Sequence, residues 1–115
     1  MSTPKVIRAR RFQIRRRGEL TYEGHRFACL VQDIGRKGMF LICNYDLEVG
    51  LELEVRFELK PGVPFQARIK VRHFDDGCFG TEIVQADPES DSALVQFLET
   101  QYSGQSQLPE RRARS

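Results

Sequence analysis

The stretch Leu51–Lys60, LELEVRFELK, alternates apolar and polar residues without a fault. Leu51, Leu53, Val55, Phe57 and Leu59 fall on one side; Glu52, Glu54, Arg56, Glu58 and Lys60 fall on the other. Strand side chains point to opposite faces in turn, whereas helical neighbours recur every three or four residues, so the pattern predicts a half-buried strand. Pro61-Gly62-Val63-Pro64 interrupts it. Phe65, Ala67, Ile69 and Val71 then alternate with Gln66, Arg68, Lys70 and Arg72, which predicts a second strand and a hairpin pair.

Other segments fit the same frame. Cys78–Val84 follows the turn Asp75-Asp76-Gly77; Phe27–Ile34 and Met39–Cys43 are apolar runs; Gln13–Tyr22 is a weaker strand ahead of the turn Glu23-Gly24-His25. Six short strands joined by close turns predict a small antiparallel barrel, because closure removes exposed strand edges. The period changes at Asp87-Pro88-Glu89-Ser90: Asp87 suits an N-cap and Pro88 the first helical position. One helix is expected to about Tyr102, with Leu94, Phe97 and Leu98 on the face that packs on the barrel. The division is then a flexible basic arm (1–10), a barrel with its helix (11–102) and a disordered polar tail (103–115).

At 115 residues the chain suits one domain with one modest core. No apolar run approaches the roughly 20 residues of a membrane helix, and the N-terminus lacks the apolar region of a secretory signal, so a cytoplasmic protein without membrane insertion is expected. Cys29, Cys43 and Cys78 are single and widely spaced, and with His25 and His73 they form no zinc spacing, so free thiols and no metal are expected. No P-loop, G-x-G-x-x-G or G-x-S-x-G occurs, nor a supported nucleophile, so the expected role is binding and not catalysis.

The net charge of +2 conceals an asymmetry. Seven of the 18 cations lie in residues 1–17 without an acid, which leaves 11 against 16 acids in residues 18–115. A basic arm therefore faces an acidic body. Nucleic acid is disfavoured as a partner, since the outward strand positions are rich in Glu and hold no aromatic platform.

Two segments draw attention together: Arg11-Phe12-Gln13-Ile14-Arg15 and the six-residue turn Asp33-Ile34-Gly35-Arg36-Lys37-Gly38. Arginine donates paired hydrogen bonds to phosphate and stacks on a purine. Glycines let backbone N–H groups approach an anion. Asp33 would repel phosphate but is the natural acceptor for the N–H edge of guanine. Phosphate-binding cations beside a guanine-reading acid describe a guanine nucleotide site.

The R-x-x-x-R of Arg11 and Arg15, the D-x-x-x-x-G of Asp33–Gly38, the Gly77-Cys78-Phe79-Gly80 turn and the following helix resemble a PilZ domain over about residues 8–100. The resemblance implies a six-stranded antiparallel barrel that binds cyclic di-GMP, often as a self-stacked dimer, and relays its level to motility, pili or exopolysaccharide machinery. It implies that Arg11 and Arg15 hold phosphates and stack on guanines, with Arg8 and Arg10 auxiliary. Asp33 would accept a guanine edge and Gly38 would keep the turn tight. Gly35 stands where the family has serine, and the lost hydroxyl hydrogen bond is worth about 0.5–1.5 kcal/mol. Many members also stack a tryptophan on guanine; this chain has none, and Arg72 or His73 occupies that neighbourhood. The arm from Arg8 to Arg15 is expected to fold over the barrel mouth on binding, and with no output domain in view the signal is expected to pass to an effector protein. The alternative is a PilZ-like adaptor that has lost its ligand and works through protein contacts alone.

Overall fold

The computed structural model describes the backbone of residues 11–114 and the side chains of residues 11–101. Six strands precede one helix: β1 Arg11–Tyr22, β2 His25–Gly35, β3 Gly38–Ile42, β4 Glu52–Lys60, β5 Val63–Asp75, β6 Cys78–Ala86 and α1 Pro88–Arg114. The strands form a closed barrel in the order β1-β2-β3-β6-β5-β4, with every neighbouring pair antiparallel.

The alternation in β4 and β5 does what its period requires. Leu53, Val55, Phe57 and Leu59 are buried on one strand, and Phe65, Ala67, Ile69 and Val71 on the other. The register sets Phe57 opposite Phe65 and Val55 opposite Ala67, so the two apolar faces become one wall of the core. Leu20, Val31, Ile34, Met39 and Leu41 supply the opposite wall with almost no exposure. The barrel closes where β1 meets β4, Gly18 opposite Phe57; a Cβ on Gly18 would lie 3.1 Å from the Arg56 carbonyl and from the Phe57 Cβ, so the seam is closely packed.

Turn chemistry sets the hairpins. Glu23-Gly24 and Asp76-Gly77 each place both residues at positive φ (49° and 84°, 52° and 86°), the type I′ geometry whose twist matches that of the strands. Pro64, expected to end a strand, lies inside β5 opposite Glu58. It is tolerated because β6 pairs with β5 only from Ala67 onward, which leaves Pro64 at an edge.

The helix begins as expected. The Asp87 carboxylate accepts the Ser90 N–H at 2.7 Å, and Glu89 and Asp91 occupy the electropositive first turn. The Ser90 hydroxyl accepts the Gln66 N–H at 2.9 Å and ties the helix to β5. Leu94 and Phe97 are buried, each worth about 1.5–3 kcal/mol relative to exposure. The end differs from expectation: the helix continues past Tyr102 to Arg114, across the tail expected to be disordered. Ser103 and Gly104 offer a stop there, but a glycine inside a helix costs only about 1 kcal/mol against alanine and does not oblige it to end. The arm at 1–10 lies outside the described residues.

Candidate functional site

Arg11 and Arg15 belong to β1, not to a free arm: Arg11 pairs with Gly35 of β2, and Phe12 between them is buried opposite Ile34. The expected folding-over of a segment carrying both arginines is therefore corrected. The apolar residue beside Arg11 anchors it in the sheet. Arg8 and Arg10 lie outside the described residues.

Strand irregularities shape the site. β1 carries one extra residue between Gln13 and Arg16, and β2 one extra between Val31 and Asp33. Arg15 sits in the first bulge at φ 51°, a left-handed conformation uncommon for a residue with a side chain. Bulges bend a strand and re-aim its side chains. Arg15 lines a basic cavity of about 470 Å³ with Arg16, Arg17, Phe57 and Glu58. The Arg16 Nε–H donates to the Glu58 carbonyl at 2.9 Å across the β1–β4 seam. Arg11 points elsewhere, so the two arginines of one sequence motif serve different surfaces.

Arg11 joins Asp33. Its Nη1 lies 3.8 Å from the Asp33 Oδ1, too long for a hydrogen bond but close enough for charge attraction. Its Cζ stands 4.2 Å from the centroid of the Phe40 ring, a cation–π contact. Asp33 pairs with Phe40, Phe40 with Gly80 and Gly80 with His73, so one row crosses β2, β3, β6 and β5. The Phe40 and His73 rings meet edge to face at 5.6 Å. A Cβ on Gly80 would collide with the His73 ring, so the glycine makes room for the aromatic pair.

Electrostatics mark the same spot. Burial pushes the Asp33 carboxyl above its ordinary value, opposed by the Arg11 guanidinium and a hydrogen bond from the Phe40 backbone N–H. Its Oδ1 is buried, and among the described residues no donor reaches it. Buried oxygens of this kind are rare and costly. An outside N–H would complete this one.

Neither glycine of the turn is required for its handedness. Among the described residues the glycines at positive φ are Gly24, Gly50, Gly62 and Gly77; Gly35 and Gly38 are not among them. Gly38 pairs with Glu82, and a Cβ there would strike the Thr81 carbonyl, so glycine is needed for β3 to lie against β6 and not for turn handedness. Gly35 is buried opposite Arg11. Arg36 donates to Asp91 at 2.9 Å and, while still exposed, fastens the turn to the first turn of α1. Arg72 pairs with Glu82 at 3.5 Å, beside Gly38's strand and not against Arg11 or Asp33. Phe40 escaped the sequence reading because it lies within an apolar run that looks uniformly buried; only alternate residues, Met39 and Leu41, enter the core.

The thiols lie apart from this row. Burial, assisted by Cys43, pushes the Cys29 thiol up to about 12, and burial also raises Cys43. All three cysteines are free. Among the described residues no group of three or more His, Cys, Asp and Glu could hold a metal, and no helix is long and apolar enough to cross a membrane.

The family model for the PilZ domain matches residues 6–100. The chain belongs to the PilZ-domain family. PilZ domains are binding and adaptor modules of a cyclic di-GMP receptor family. The barrel is similar to the Bacillus subtilis inhibitor of motility MotI/DgrA (TM-score 0.69, 16% identity), covering 83% of this PilZ chain and 51% of that one. It therefore spans about half the length of that protein. It is also similar to the PilZ domain of CeSA from a cellulose-synthesizing bacterium (TM-score 0.63, 9% identity), covering 81% of this chain and 98% of that domain. At such identities the likeness is one of fold. No curated protein sequence matches the chain significantly.

Proposed function

We propose that this PilZ chain is a non-catalytic cyclic di-GMP receptor that relays the messenger level to an effector protein controlling motility, pili or exopolysaccharide. The observation that carries the reading is the buried Oδ1 of Asp33, which no hydrogen-bond donor among the described residues reaches and which lies beside Arg11 and Phe40. A guanine supplies what this arrangement lacks: adjacent N–H donors for the carboxylate and a flat face for the ring. Arg11 supplies charge for phosphate, and the cavity lined by Arg15, Arg16 and Arg17 offers more cations along the same strand. One ligand or a stacked pair is compatible with that spread of charge.

Calorimetric titration with cyclic di-GMP tests the proposal. Saturable binding is expected, and the absence of heat at high micromolar ligand overturns it. In that event the adaptor without ligand becomes the better reading, favoured by Gly35 at the family's serine position and by the lack of tryptophan.

A further inference from the structure

A guanidinium is a planar carbon bearing three nitrogens, and guanine contains the same unit, C2 bearing N1, N3 and the exocyclic N2, with the N1–H and N2–H donors along one edge. In this structure the Arg11 guanidinium lies over the Phe40 ring at 4.2 Å and directs Nη1 toward the Asp33 Oδ1 at 3.8 Å. That is the pose a guanine would take to stack on an aromatic ring and donate to a carboxylate. Arg11 fills it incompletely, because its nearest nitrogen stops short of hydrogen-bond distance and leaves Oδ1 without a donor among the described residues.

We propose that Phe40, braced at its edge by His73, is the base-stacking platform of the site, and that Arg11 is an internal stand-in that guanine displaces. This rests on the cyclic di-GMP reading and adds to it a residue, a pose and an exchange. The base takes the Phe40 face and closes the bond to Asp33. The released Arg11 turns its paired N–H donors to the phosphate, where a planar fork suits the oxygens. A stacked aromatic is thus supplied from β3 in a chain without tryptophan. Gly80 is part of the device, since a side chain there would evict His73 from beside the ring. Asp33 also selects the base: adenine offers a ring-nitrogen acceptor where guanine offers the N1 donor, and that acceptor would face a carboxylate.

The test begins with wild-type protein and cyclic di-GMP. If it does not bind, the receptor reading fails and this inference fails with it. If it binds, Phe40→Leu is expected to weaken affinity by about tenfold or more, while Phe40→Tyr, which keeps the ring, stays within about threefold of wild type. Unchanged affinity in Phe40→Leu, with the receptor reading intact, overturns the platform alone. The absence of tryptophan allows a direct readout through Phe40→Trp. Cyclic di-GMP should quench its fluorescence with the calorimetric midpoint, and cyclic di-AMP should not at the same concentrations. Calorimetric binding without a fluorescence change in Phe40→Trp also overturns the inference, because it places the base elsewhere. Should Phe40→Leu fail to fold, the Phe40→Trp readout decides.

Discussion

Two carboxylates, Asp87 and Asp33, show how differently this molecule treats its polar groups. Asp87 caps the helix: it receives the Ser90 N–H at 2.7 Å, Ser90 receives the Gln66 N–H, and the neighbouring Asp91 holds Arg36. Each group there has a partner from the chain. Asp33 borders two register shifts with an oxygen that no described donor reaches, and burial raises its carboxyl above the ordinary value. The first carboxylate serves folding. The second works against it, and such local cost is characteristic of binding surfaces.

The largest expected effect breaks the contrast from the ligand side. Asp33→Ala should lower cyclic di-GMP affinity roughly 10- to 100-fold, the worth of a hydrogen bond to a charged group, with the thermal midpoint nearly unchanged by calorimetric melting. Arg11→Ala, read by the same titration, should also remove most of the affinity. The folding side comes next: Asp87→Ala should cost about 1 kcal/mol of stability, about 4 °C in melting temperature, and leave binding intact.

A comparable effect of opposite sign is expected from Asp33→Asn, which should melt higher than wild type at neutral pH, by up to about 1 kcal/mol. The sign follows from linkage. The folded carboxyl holds its proton more tightly than the unfolded one, so ionisation costs stability above the raised value, and that cost fades as pH falls through it toward the ordinary 3.8. The melting difference between the two proteins should shrink on acidification, and a gap constant from pH 7 to 4 would show that burial of Asp33 is not its cause. Smallest is Gly35→Ser, which restores the family hydroxyl and should raise affinity by no more than about tenfold. A loss in that titration would mean that the covered position has no room for it.

The fold was legible in the sequence because a period of two has one physical meaning over Leu51–Lys60 and Phe65–Arg72, and because Asp87-Pro88 states a helix start. The edges were less so. β1 begins earlier than expected, since its bulge and run of arginines blur an alternation that Phe12 and Leu20 still obey. The helix end was misplaced because glycine and serine permit a stop without requiring one. For the candidate site, Arg11 and Asp33 could be singled out by residue chemistry alone. Their contact depends on the long-range register that sets Arg11 opposite Gly35 and Gln13 opposite Asp33, and the divergence of Arg15 on the extra residue that follows in β1, which no local pattern announces. Phe40 and His73 are 33 positions apart in the sequence and meet only through two strand pairings via Gly80.

The Gly77-Cys78-Phe79-Gly80 segment contains two glycines three positions apart that answer to different demands. At Gly77 the requirement is handedness, at φ 86°, with nothing within 4 Å of an added Cβ. At Gly80 it is vacancy, because any added carbon meets His73. Saturation mutagenesis should therefore separate them: asparagine, which visits the left-handed region, ought to be recovered at 77, while at 80 even alanine ought to be lost from a library selected for an intact aromatic row.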